Sequence, residues 1–205
     1  MCSAIRWKVS LKRSTILPKG IALIATLLVI SLAAWFVWDS VGREQIDLQS
    51  YQLEYSDIVA TCADEFDVPQ EMIFAVIHTE SNFDPEAVSR AGAKGLMQLV
   101  DPTNDWIAMH LGEEPEPERL FEPAFNIRRG TWLLSYTFNK YGSWEVALAA
   151  YNAGIGNANK WLKNPDYSSD GKTLDVIPFF ETREYVSRVI EAAEKYRELY
   201  FDTEK

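Results

Sequence analysis

At 205 residues the chain is long enough for one domain with a proper core plus an accessory segment. Its net charge of −10 at pH 7, from 30 Asp and Glu against 20 Lys and Arg, argues against nucleic-acid binding, which needs a basic face to neutralise phosphates.

The accessory segment comes first. Arg6, Lys8, Lys12, Arg13 and Lys19, with no acid among them, precede an uncharged run from Ile21 to Trp38 that only Thr26 and Ser31 interrupt. As a helix this run spans roughly 27 Å, close to the hydrocarbon thickness of a bilayer. The pattern predicts a transmembrane anchor over 21–38. Residues 1–20 are then a basic cytoplasmic segment, 39–50 a polar linker, and 51–205 a domain on the outer face of the cell membrane. A cleaved signal peptide is the rival reading. Its apolar region is usually shorter, and here the small-residue pattern Ser31-Leu32-Ala33 is followed by more membrane-like sequence, Ala34–Trp38. Trp35 and Trp38 also suit an interfacial aromatic belt. Setting aside the five basic residues leaves 15 Lys and Arg against 30 acids outside, about −15, which favours solubility. Cys2 and Cys62 fall on opposite sides of the membrane, so the outer domain must be stable through its core alone. Cys62 sits on the apolar side of a predicted helix and reads as a small buried hydrophobe.

Beyond the linker the pattern is helical almost throughout, and the fold class is mainly α. Leu53, Ile58, Val59, Cys62 and Phe66 recur at helical spacing. Asp67-Val68-Pro69 stops that helix and starts another, Gln70 to about Glu80, which is apolar nearly all round and should run through the centre. Asp101-Pro102 is a cap-plus-proline start for a helix carrying Trp106, Ile107 and Met109. Glu113–Glu118 reads as a loop, Phe125–Tyr141 and Trp144–Tyr151 as helices around the Gly142 turn, and 164–172 as a turn-rich loop without core-forming residues. Tyr185–Tyr200 closes the chain as an amphipathic helix.

One residue carries the chemistry of this pattern. Glu80 ends the apolar helix, and the run Ile73–Ile77 should desolvate its carboxyl and raise its pKa, as a general acid acting near neutral pH requires. On its own, a helix-end glutamate is ordinarily solvent-exposed. The loop Ala91–Gln98 has glycines that permit close backbone approach and a Gln98 amide that can meet a sugar, although its composition equally suits a structural turn with Met97 in the core. Ala150–Gly154 has a similar character, with a glycine cap and a partly buried tyrosine as the plain alternative. Glu181 alone would read as a surface ion pair with Arg183 or Arg188.

Three segments together resemble a known family: ESNFDPEAVSRAGAKGLMQ from Glu80, AYNAG from Ala150 and IPFFETREYVSRV from Ile177. They are similar, in order, to the signature blocks of soluble-lytic-transglycosylase-type (SLT) domains of the goose-type lysozyme-like group, over about Tyr55–Tyr196. The resemblance implies a lysozyme-like helical domain with Glu80 as the single general acid/base. It implies that Ser89 contacts the substrate's acetamido group, and that Met97 and Gln98 line the cleft. Tyr151 would stand close to the acid with Asn152 beside it, and Glu181 and Tyr185 would face the cleft. One departure is the sequence after Gln98, where the family usually has an apolar residue, methionine and proline. Here Leu99, Val100, Asp101 and Pro102 follow, which bears on subsite preference.

The implied reaction is non-hydrolytic cleavage of the bond between N-acetylmuramic acid and N-acetylglucosamine in peptidoglycan, leaving 1,6-anhydro ends. Hydrolysis on the same fold, or wall binding without catalysis, are the alternatives. The expected partners are peptidoglycan glycan strands and the cytoplasmic membrane, with no nucleic acid. No cofactor or metal is implied, since His78 and His110 form no ligand spacing with cysteine.

Overall fold

The computed structural model describes residues 19–202. The expected basic segment lies outside these apart from its last two residues, and Cys2 lies outside with it. The chain divides into two units at Ser50–Tyr51. In the first, α1 runs from Lys19 to Ser50. It continues through 39–50, where a linker was expected, because nothing there breaks a helix beyond the single Gly42. The described apolar side chains of α1, Leu27–Ile30 among them, are exposed. Among the described residues no helix is long and apolar enough to cross a membrane. The expected span 21–38 is only partly covered, since the side chains at 22, 23 and 25 lie outside the described set.

The second unit is built around α3, Gln70–Ser81. The preceding helix α2, Ser56–Phe66, ends where Asp67 turns left-handed (φ 54°), and Pro69 then sets up the new helix. Every residue from Met72 to Ile77 is buried. A helix apolar on all sides needs neighbours on all sides. It packs along α8, Phe180–Tyr196, and touches α2. The remaining helices are α4 (Asp101–Leu111), α5 (Pro123–Tyr141), α6 (Trp144–Ala153) and α7 (Ile155–Leu162). Helix α5 lies against α2 and α6, and α6 contacts α7 and α8. The hydroxyls of Tyr196 and Tyr200 donate to the carbonyls of Gln52 (3.2 Å) and Tyr51 (2.7 Å), tying the start of the unit to its end.

Several elements differ from expectation for local reasons. Helix α8 begins at Phe180, five residues earlier than predicted, because Phe179 is held extended after Pro178 and the first turn then gains Glu181, an acid at the positive end of the helix dipole. Asp101 is not the cap of α4. That position is Val100, and the Asp101 carboxylate instead pairs with Lys94 Nζ at 2.7 Å. The predicted loop at 113–118 tightens into a 3-10 turn over Pro117–Phe121. The loop 164–172 does contribute to the core: Tyr167 packs against it and Ser168 is buried. Helix α7 was not anticipated, since only Ala158 and Trp161 of its eight residues are buried. Cys62 is buried as expected, and burial pushes its thiol up to about 11.

The packing of α5 against the loop before α4 can be tested at one glycine. A Cβ on Gly130 would collide with the Met97 side chain, coming within 2.8 Å of its Cβ, and Met97 is fully buried. Overpacking costs about 1–3 kcal/mol and outweighs the roughly 1 kcal/mol that alanine gains over glycine in a helix. Gly130→Ala should therefore lower the urea midpoint, whereas Gly156→Ala in α7, where a Cβ meets nothing within 4 Å, should not. Equal midpoints for the two variants would contradict this packing.

Candidate active site

Glu80 sits in the last turn of α3, at the point where the chain must leave the helix. Asn82 (φ 50°) and Phe83 (φ 66°) both adopt left-handed backbone and turn it sharply away. The Ser81 hydroxyl, next to the acid, donates to the Leu96 carbonyl at 2.9 Å and to Ile77 at 3.2 Å. Ser81 thus clamps the helix end to the returning loop.

That loop carries little regular structure, so its backbone groups need other partners. Asn126 of α5, fully buried, supplies two of them and ties the loop to the 3-10 turn. Its Oδ1 accepts from the Met97 N–H at 2.7 Å, and its Nδ2 donates to the carbonyls of Lys94 (3.0 Å) and Leu120 (2.7 Å). The Gln98 amide nitrogen donates to Ala87 and Gly95, with Gln98 itself at φ 48°. The donor expected to meet a sugar is thus committed to the loop, and Oε1 is what Gln98 offers a ligand. Ser89 Oγ accepts from the Ala93 N–H at 3.0 Å, and the serine stays exposed.

These elements surround a cleft of about 420 Å³. Glu80, Ser89, Gln98, Tyr151, Asn152 and Glu181 all line it. Two expected members stand differently. Met97 does not line the cleft with its side chain, which is buried in the core in the space Gly130 leaves open; its carbonyl accepts from the hydroxyl of the cleft-lining Tyr151 at 2.8 Å. Tyr185 lies behind the cleft wall, 3 % exposed, beside the Glu80 carboxyl. Asn152 Oδ1 is held by the Thr182 hydroxyl at 2.8 Å.

The electrostatics follow from these placements. Burial raises the Glu80 carboxyl to about 7, against the opposing pull of the Tyr185 hydroxyl and the Arg188 charge. The Tyr185 hydroxyl stabilises the charged carboxylate, yet among the described residues it finds no partner with full hydrogen-bond geometry. Both Tyr151 and Tyr185 are pushed well above the usual phenol range, first by burial and then by the Glu80 charge, so each remains a neutral phenol. Neither histidine joins the site: His78 stacks on Tyr51 at 4.9 Å and His110 packs on Trp106 at 4.2 Å. Among the described residues, no three His, Cys, Asp or Glu are placed to hold a metal ion.

Residues 57–173 match the family described as the Transglycosylase SLT domain. The chain belongs to that family. It is 33% identical over 153 residues to the soluble lytic murein transglycosylase of Salmonella typhimurium, covering 73% of this chain and 24% of the relative. It is also 33% identical over 167 residues to the membrane-bound lytic murein transglycosylase C of Yersinia pestis, covering 70% and 47%. Among solved structures, the 70 kDa soluble lytic transglycosylase of Escherichia coli superposes with a TM-score of 0.66 at 30% identity, over 74% of this chain and 25% of that one. An inactive mutant of the lytic transglycosylase Slt from Pseudomonas aeruginosa gives 0.64 at 32%, over 73% and 25%. The chain therefore spans about a quarter of the soluble relatives' length and about half of the membrane-bound one's. The mainly helical, lysozyme-like fold is that of the SLT family.

Sequence reasoning did not single out Asn126, and it named Arg188 only as a surface ion-pair partner for Glu181, not as a neighbour of Glu80. Asn126 was detectable as a lone amide on the apolar face of α5, beside Ile127. Arg188 follows Tyr185 by three residues and so shares its helix face.

The raised Glu80 pKa makes stability pH-dependent. The folded protein binds the proton near pH 7 and the unfolded chain near 4.5, so Glu80's contribution is complete below about 4.5 and is lost as pH rises through about 7. Between about pH 5 and pH 8, Glu80→Gln should gain stability relative to wild type by on the order of 1–3 kcal/mol, the partly exposed carboxyl placing it below the full linkage value. Urea midpoints at the two pH values check this, and a constant difference between the proteins would mean that the pKa is not raised.

Proposed function

We propose that this chain is a peptidoglycan lytic transglycosylase that uses Glu80 as its only general acid/base. The observation that carries this reading is a carboxyl held near pH 7 in a cleft whose other lining acid among the described residues, Glu181, is exposed in the first turn of α8. Near neutral pH a substantial fraction of Glu80 is protonated and can donate to the glycosidic oxygen as the bond to the muramoyl C1 breaks. The carboxylate then takes the proton of the muramoyl C6 hydroxyl, whose oxygen bonds to C1 and closes the 1,6-anhydro ring. The nucleophile belongs to the substrate, so proximity replaces a positioned water and a second carboxylate. Ser89, Gln98 Oε1 and Asn152 offer polar contacts to the sugars, and the neutral phenols of Tyr151 and Tyr185 flank the acid without adding charge.

Digestion of purified peptidoglycan followed by mass spectrometry tests the reaction. The expected products carry 1,6-anhydromuramoyl ends; free reducing ends would instead mean hydrolysis on the same scaffold. Glu80→Gln should lower the rate by about 10²–10⁴-fold, the usual contribution of a positioned acid/base. A variant with unchanged wall lysis would remove Glu80 from this role. Activity should also fall above about pH 7 as the acid loses its proton.

We further propose that α1 anchors the protein in the cytoplasmic membrane, with residues 1–20 inside and 51–205 on the outer face, so that it acts on membrane-proximal strands. The uncharged run Ile21–Trp38, the basic residues before it and the exposed apolar side chains of α1 support this reading. Deleting residues 1–50 should release the protein from the membrane fraction while leaving its rate on solubilised murein within about twofold. Retention of the truncated protein in washed membranes would place the membrane contact elsewhere.

A further inference from the structure

Asn152 lines the cleft from the last turn of α6, and one end of its amide already has a partner. Its Oδ1 accepts from the Thr182 hydroxyl at 2.8 Å. Thr182 is 2 % exposed and is not among the residues that line the cleft. It is the third residue of α8, next to the cleft-lining Glu181. Deeper in a helix, a threonine hydroxyl often donates to the carbonyl four residues back. For Thr182 that residue is Pro178, which precedes the helix, and the hydroxyl reaches across to α6 instead. The family resemblance implies roles for Glu181 and Tyr185 in this segment but none for Thr182.

A primary amide on a cleft wall can present either end, and the two ends recognise opposite partners: Oδ1 accepts and Nδ2 donates. Asn152 is exposed, so packing alone does not choose between them. Its neighbour does. With Oδ1 held by Thr182, Nδ2 is the atom left for the cleft, and among the described residues it has no hydrogen-bond partner. The preceding residue is pinned in another direction, by the bond from the Tyr151 hydroxyl to the Met97 carbonyl, so the end of α6 is held from two sides. We propose that Thr182 is a positioning residue: its hydroxyl fixes the Asn152 amide so that Nδ2 donates to an acceptor oxygen of the bound glycan. An amide oriented before binding has less freedom to lose when the glycan arrives, which is where the gain in affinity lies. The inference rests on the murein reading above.

A double-mutant cycle in the full-length enzyme tests this, reading the initial rate of anhydro-end release from solubilised murein at sub-saturating concentration. Thr182→Val keeps the shape and removes the donor; it should lower the rate by about 3–10-fold, the worth of one hydrogen bond. Thr182→Ser restores the hydroxyl and should stay within about twofold of wild type. The deciding comparison is made in an Asn152→Ala background. There Thr182→Val should change the rate by less than about twofold, because the group it positions is gone. An equal loss in both backgrounds would make Thr182 a purely structural contact and overturn the proposal. So would a wild-type rate in Thr182→Val or in Asn152→Ala, or a serine variant as slow as the valine one. If the urea midpoint shows that Thr182→Val does not fold, Thr182→Ala takes its place in the same cycle. Wild type that releases no anhydro ends would remove the murein reading itself, whereas an active wild type with additive losses would remove only the role of Thr182.

Discussion

A carboxyl group that must hold a proton near neutral pH has to leave water without meeting a fully neutralising cation, and the end of α3 meets both conditions for Glu80. The apolar run Met72–Ile77 puts the helix in the centre of the domain, and its last turn therefore emerges where solvent is scarce. Arg188 and Tyr185, both on α8, pull the pKa down, but burial outweighs them and the carboxyl stands at about 7. The packing of α3 along α8 thus sets the chemistry as well as the stability. The same contact desolvates the acid and brings up the two groups that temper it.

The loop facing the acid is held by side chains rather than by regular secondary structure. Its backbone takes left-handed conformations at Gly92, Gly95 and Gln98, and isolated bridges, Val88 to Lys94 and Lys94 to Leu99, join turn bonds and the Gln98 and Ser89 side chains in connecting it to itself. What makes it rigid is the set of anchors from outside. Asn126 reaches in from α5, Ser81 from the end of α3 and Tyr151 from α6, and all three bind backbone between Lys94 and Met97. Gly95 admits this approach, because a Cβ there would strike the Leu120 carbonyl and the Asn126 side chain. These anchors tie down the stretch Lys94–Met97, and the bonds from the Gln98 amide nitrogen to Ala87 and Gly95 leave Oε1 as the atom it presents.

How much of this was legible in the sequence depended on how local the cause was. Six consecutive buried residues in α3 announce a central helix, and the acid at its end follows from the same run, so the position of Glu80 and the direction of its pKa could be read without coordinates. Helix α7 could not, because IGNANKWL presents only two buried residues and its place is decided by packing on α6. The start of α8 was placed late because Phe179 and Phe180 are exposed and give no periodic signal, while the structural reason for starting there lies in the extended backbone after Pro178. Met97 was ambiguous for a physical reason: a methionine next to a cleft can line it or support it, and the decision was made by Gly130, 33 positions away, which vacates the space its side chain fills. Asp101 looked like a helix cap because its partner, Lys94, lies outside the helix it precedes.

A single carboxylate that serves first as acid and then as base faces a conflict, because whatever makes it a better donor makes it a weaker acceptor afterwards. A pKa near 7 is the balance point, and of the two tyrosines beside Glu80 only Tyr185, together with the Arg188 charge, acts to hold it there against burial. The Tyr151 proton is committed to the Met97 carbonyl at 2.8 Å, so this phenol fixes the wall and does not compete for the carboxyl. Among the described residues the Tyr185 hydroxyl has no partner with full hydrogen-bond geometry, and it acts on Glu80 by stabilising its charged form. On the lytic transglycosylase reading, that contact gains strength when the proton leaves for the glycosidic oxygen and weakens when the C6 hydroxyl returns one. The cost of charging a buried carboxyl is thereby limited to the interval in which the charge is needed. This explains why a neutral phenol, rather than a second acid or a close cation, stands behind Glu80: a carboxylate there would raise the pKa further and hinder donation, and a cation in full contact would lower it and remove the proton before substrate arrives.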